Sequence, residues 1–243
     1  MTGRPAAYLW LSAVLPLSAE TYTFYVGPGT PAQRVEEKTA LVQQADPAAQ
    51  CTQHLLKAKN TSLEDAEAAA QAIRHGALQP PCVVISDAAG AYAALPLDKL
   101  DAQSLAKARE AAASPTRKQE QAERDFNADC YLLFARLSLQ EQTPERVRAN
   151  VQECRRLMDA AGQKPQAWQE LGLRALYPLL MLEYTQGYRA NGAHTPETEA
   201  KLLEAIAALE AVRDLDPESP SGKKAHEERE RLRMARRQAR QAE

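Results

Sequence analysis

Residues Gly76 to Leu95 read GALQPPCVVISDAAGAYAAL. The Pro80-Pro81 pair runs into the β-branched stretch Val83-Val84-Ile85, an Asp87–Gly90 turn follows, and a second short apolar run closes the segment. Glycine and paired prolines ahead of β-branched residues mark a helix end, a tight turn and a strand. Glycine at the fourth position of the Asp87–Gly90 turn marks a hairpin connection to the next strand.

Upstream, Thr21–Val26 (TYTFYV) is aromatic and β-branched, as a short buried strand is. Thr30-Pro31 supplies an N-cap and a first-turn proline, and Val35, Ala40, Leu41, Val42 and Ala45 give the following helix an apolar face. Leu55-Leu56-Lys57-Ala58 can form a second strand, with Cys51 near its opening, while residues 48–58 also read as a helix. Ser62 with Asp65 opens an alanine-rich helix over Leu63 to His75, which Gly76 ends. Downstream of the hairpin, Leu100–Ala112 supplies a last helix. The elements over residues 21–113 therefore run strand, helix, strand, helix, hairpin of two strands, helix.

That order resembles a thioredoxin-like domain, an α/β fold in which a cis-proline precedes the third core strand. The resemblance makes Pro80 and Pro81 the cis-proline candidates. Catalytic members of the family carry Cys-x-x-Cys at the end of the first strand, where the following helix N-terminus lowers the thiol pKa. In this chain the corresponding segment is Gly27-Pro28-Gly29-Thr30-Pro31, which holds no cysteine. Dithiol exchange needs an attacking and a resolving sulfur close together, so Gly27, Pro28, Gly29 and Thr30 read as a vacated active-site loop. Cys82, beside the cis-proline candidates, is the one remaining catalytic candidate. It is either a single-thiol redox site or a packed strand cysteine.

The N-terminus has the layout of a secretory signal. Arg4 provides the basic start, Ala6 to Leu17 the apolar core, and Leu17-Ser18-Ala19 the small residues of a cleavage position. A signal peptide over residues 1–19 would send the chain to a bacterial periplasm or cell envelope; the alternative is an ordinary buried N-terminal element. This apolar core is too short for a stable membrane span, and no run beyond the N-terminus reaches 18 apolar residues, so no transmembrane helix is expected. In an exported chain the four cysteines invite pairing. Cys130 and Cys154 each lie twelve positions from Gln142, on helical segments Glu120–Leu139 and Pro144–Met158, and an antiparallel helical hairpin would hold them at one height. That allows a disulfide; two buried thiols are the alternative. Under the thioredoxin-like order, Cys51 and Cys82 open strands at opposite ends of the sheet and are expected to stay apart.

Residues 114–118 (SPTRK) read as a linker, and 119–222 as an all-α helical-hairpin domain. Phe126, Cys130, Leu133, Phe134 and Leu137 form a helical stripe, and Thr143-Pro144 and Thr195-Pro196 open further helices. Trp168, Leu171, Leu176, Leu179-Leu180 and Leu182 form the most apolar segment, broken or kinked at Pro178. Trp168-Gln169-Glu170-Leu171-Gly172 is similar to the W-x-x-L-G opening of tetratricopeptide repeats, with Pro196 and Leu215-Asp216-Pro217 at repeat-end positions. Tyr184 stands where that repeat wants a small residue, and no second copy keeps the period. Residues 223–243 carry eight Lys/Arg against four Glu, with Leu232 and Met234 too few for a buried stripe, so a solvated basic terminal helix is expected.

Other chemistry is sparse. A net charge of −2 gives no reason to expect nucleic acid. His54, His75, His194 and His226 are scattered without metal-ligand spacing, and the phosphate-loop and nucleophile-elbow motifs are missing, so no metal and no cofactor is expected. Asn60-Thr61-Ser62 fits a glycosylation sequon. The functional expectation is an exported, redox-inactive protein that binds a protein or peptide or serves as a scaffold. The alternative is a thiol-redox protein that uses Cys82 alone.

Overall fold

The aromatic and β-branched residues Thr21–Val26 form β1, and their alternation fixes the sheet around them. The structure, a computed structural model, describes residues 20–77, 80–162, 164–192 and 194–242, so the expected signal segment 1–19 lies outside it. Tyr22, Phe24 and Val26 enter one apolar cluster with Val83 and Ile85, while Thr23 and Tyr25 are buried on the opposite face. A strand buried on both faces belongs in the middle of a sheet. The observed order is β2-β1-β3-β4, with β2 at Gln50–Leu55, β3 at Cys82–Asp87 and β4 at Gly90–Pro96. β1 pairs parallel with β2 and antiparallel with β3, and β3 pairs antiparallel with β4.

The second strand lies at Gln50–Leu55, earlier than Leu55–Ala58, and the helical alternative over 48–58 is not formed. Its residues are mostly exposed, as an edge strand permits, and pairing with β1 rather than burial holds it. The apolar pair Leu55-Leu56 was therefore a misleading signal: Leu55 is 65% exposed. The β3–β4 turn is tied by the Ala89 N–H donating to Asp87 Oδ1 at 2.7 Å. Gly90 supplies a positive φ of 113° there.

The chain divides into two compact units. One comprises residues 20–55 with His75–Arg117; the other comprises Leu56–Arg74 with Lys118–Glu243. In the first, α1 (Ala32–Ala45) contributes Val35 and Val42 to the cluster behind the sheet, and α3 (Ala102–Glu110) contributes Leu105 and Ala108. Asp101 and Ser104 close a reciprocal capping box at the start of α3. Glu20 accepts from Tyr22 and Tyr92 hydroxyls at 2.6 and 2.7 Å and from Arg109 at 3.0 Å. Residues 114–118 are pinned at Arg117, which donates to Asp87 at 2.9 Å and to the Gly90 carbonyl at 2.6 Å.

The second unit gathers α2 (Leu63–Arg74) with α4 (Arg117–Leu139), α5 (Pro144–Ala161), α6 (Pro165–Leu171), α7 (Tyr177–Asn191), α8 (Pro196–Leu215) and α9 (Pro220–Ala242). Helix α2 is thus grouped with these helices rather than with the strands that flank it in sequence. Pro178 does not break the chain. Gly172–Leu176 widens into a π-turn, and the Tyr177 N–H reaches back to the Gly172 carbonyl. The wider turn shifts the hydrogen-bond register just ahead of Pro178, which has no N–H to donate. Gly172 is also a contact point, since a Cβ there would overlap Val212 Cγ2 on α8.

Helix α9 departs most from the sequence reading. Gly222, Ala225 and Arg229 are buried and Leu232 is half-buried against the Leu173, Leu209 and Val212 cluster. The stripe is built from small residues and arginine stems, which an apolar-residue count does not register. Arg229 and Arg233 pair with Glu210, and Arg236 with Glu199. Replacing Gly172 by alanine is expected to destabilise the protein by about 1–3 kcal/mol through overpacking. Gly27→Ala, where nothing lies within 4 Å of the added atom, is expected to be near neutral. Urea unfolding of the two variants checks the contrast.

Candidate functional site

The register of Tyr25 against Cys82 puts the segment after β1 and the segment before β3 at the same end of the sheet. Gly27, Pro28, Gly29 and Thr30 form a tight turn there, with the Thr30 N–H donating to the Gly27 carbonyl at 3.2 Å and Gly29 at φ 88°. Pro31 then opens α1 without a side-chain cap. The Pro80–Pro81 peptide is cis, and the Pro81 carbonyl accepts from the Leu97 N–H at 3.0 Å. Cys82 follows, 5% exposed, and burial pushes its thiol up to about 11. Across from it, Tyr25 hydrogen-bonds His75 Nδ1 at 2.7 Å and stacks on His54 at 5.5 Å between ring centres. Burial first, and then the Cys82 thiol, push Tyr25 up to about 12. The surroundings favour a neutral thiol, the opposite of an activated one.

The other cysteines are also free. Cys130 and Cys154 share one apolar cluster, but the disulfide allowed by their spacing is not formed. The Cys154 thiol is directed to the Leu171 carbonyl, 3.7 Å away. Burial pushes Cys130 up to about 11 and Cys154 up to about 12. Cys51 lies opposite Tyr22 and Cys82 opposite Tyr25, with β1 between them. Their separation is roughly 10 Å along the strands and roughly 10 Å across them, beyond disulfide reach.

The histidines serve local contacts. His54 and His75 flank Tyr25, His194 joins Tyr184 and Tyr188, and His226 lies beside Arg229. Among the described residues, no group of three or more His, Cys, Asp or Glu side chains is placed to hold a metal ion. No described helix is long and apolar enough to cross a membrane. The Asn60 amide of the sequon donates to the Tyr131 hydroxyl and is part-buried.

A cavity of about 450 Å³ opens in the helical unit between α7, α8 and α9. Met181, Leu202 and Leu232 give it apolar walls, and Tyr184 and His194 an aromatic one. Tyr184 and His194 rings lie 5.8 Å apart, with the hydroxyl 3.3 Å from Nε2. Arg236 and Glu199 meet at its polar end, where Glu199 Oε1 accepts from Arg236 Nε at 2.7 Å and Nη2 at 2.5 Å. Thr195 caps α8 beside it through Thr198 in a reciprocal capping box. The sequence hid this site because its walls come from three helices, and its polar pair joins Glu199 of α8 to Arg236 of the basic tail. The one local signal was Thr195-Pro196, which fixes the start of α8.

No family model, curated protein or solved structure matches this chain.

Native protein treated with a thiol reagent at pH 8 is expected to label Cys82 at least about a hundredfold more slowly than the unfolded chain, since both thiolate fraction and access are suppressed. Peptide mapping of the alkylated protein reads this directly; prompt native labelling of Cys82 would contradict its burial.

Proposed function

We propose that this chain is an exported, redox-inactive thioredoxin-like protein whose helical half acts as a protein- or peptide-binding or scaffold module. The strand order β2-β1-β3-β4, with only β1 and β2 parallel, supports the resemblance seen in the order of elements. The helical half supports a binding role through its consecutive helices α4 to α9, since stacked helical hairpins commonly present a groove to a protein or peptide.

One observation carries the redox-inactive reading. The position of a catalytic dithiol is taken by Gly27-Pro28-Gly29-Thr30, and the thiol at that end of the sheet, Cys82, is buried and held protonated. Attack on a disulfide runs through a thiolate, and a second sulfur must then resolve the mixed disulfide. Neither requirement is met at this place. The same burial weighs against the single-cysteine alternative.

The purified chain is expected to show no insulin reduction above a buffer control with dithiothreitol, and Cys82→Ser is expected to leave that baseline unchanged. Robust turnover, or a mixed disulfide trapped on Cys82, would overturn the proposal.

A further inference from the structure

We infer that the cavity between α7, α8 and α9 binds a small apolar molecule ending in a carboxylate. Its volume of about 450 Å³ lies in the range of small-molecule sites. The walls at Met181, Leu202 and Leu232 suit an aliphatic chain or a flat ring, and the ring of Tyr184 offers one further apolar face.

The polar end selects the ligand's head group. Arg236 presents five N–H donors as a planar fork. Glu199 Oε1 takes the edge made by Nε and one Nη2 hydrogen. The other edge, the outer hydrogens of Nη1 and Nη2, has no protein partner among the described residues. That edge is the geometry that receives a second carboxylate through two parallel hydrogen bonds. The Tyr184 hydroxyl and His194 lie at the same cavity and add donor capacity. Glu199, the acidic group of the lining, is already ion-paired with Arg236 through Oε1. A cationic head group would meet the guanidinium and gain nothing in exchange.

Two features offset the negative charge that such a ligand adds. Pro196, the first residue of α8, lines the cavity, so the positive end of a 20-residue helix lies beside the head group. Helix α9 also carries a run of arginines around Arg236. The inference is independent of the redox-inactive scaffold reading, since it uses no residue of the sheet unit.

Calorimetric titration of the full chain with octanoate and with 1-octanol tests it. Octanoate is expected to bind one per chain and at least tenfold more tightly than 1-octanol. Arg236→Gln is expected to weaken octanoate tenfold or more while leaving 1-octanol unchanged. Glu199→Gln, which removes the competing negative charge beside the guanidinium, is expected to tighten octanoate several-fold. Ala235→Trp, at the cavity wall, should abolish binding of both while leaving the thermal melt intact. Absence of octanoate binding at millimolar concentration, equal affinity for the acid and the alcohol, or octanoate binding unchanged in Arg236→Gln and Ala235→Trp would each overturn it.

Discussion

Asp129 accepts from two arginines distant in sequence, Arg74 at 2.7 Å on α2 and Arg156 at 2.8 Å on α5. Beside this bridge, Ala70 of α2 meets Ala128 and Leu132 of α4, with Ile73 and Tyr131 packed around them. The small alanines let the helix backbones approach, and the Gln121 amide donates to the Arg74 carbonyl at the end of α2. A half-exposed ion pair alone contributes little. Here it acts with a buried alanine contact and a capped carbonyl, all in one place. Burial works against an ionised Asp129, but the hydrogen bonds from Arg74 and Arg156 prevail and hold its carboxyl below the ordinary range. These contacts tie α2 to α4 within the helical unit, to which residues Leu56–Arg74 belong.

Burial also governs the chemistry. All four thiols are pushed up in pKa with desolvation as the largest cause, and none has a nearby cation as its dominant influence. A reactive cysteine needs the reverse: exposure, a helix N-terminus or a positive neighbour. The arginines of this protein are instead spent on carboxylates, as at Arg109 with Glu20, Arg117 with Asp87 and Arg156 with Glu153. Arg236 follows the same pattern through Glu199, and it also lines the cavity between α7, α8 and α9.

Much of the architecture is local and was legible. The β3–β4 hairpin follows from Pro-Pro, the β-branched run and the Asp87–Gly90 turn, and α5 and α8 begin at the prolines after Thr143 and Thr195. The rest depends on partners that no window of sequence contains. β2 is a polar edge strand whose stability comes from pairing with β1, so it carries no apolar alternation of its own. α9 buries glycine, alanine and arginine stems, a surface that scores as polar. Gln169 is almost fully buried because its amide donates to the Val212 and Asp216 carbonyls at the end of α8. The cavity is formed by three helices and has no motif. The π-turn before Pro178 shows the same limit: the proline signals a disturbance, but the packing around Gly172 selects a widened turn over a break.

The grouping of α2 with the helical unit is the claim on which the account of the architecture rests. Native-state hydrogen exchange through graded denaturant measures it. The amides of Ala70 to Arg74 are expected to open together with those of α4, at a free energy distinct from that of β1 and β3. Exchange of α2 in step with the strands, and apart from α4, would contradict the account.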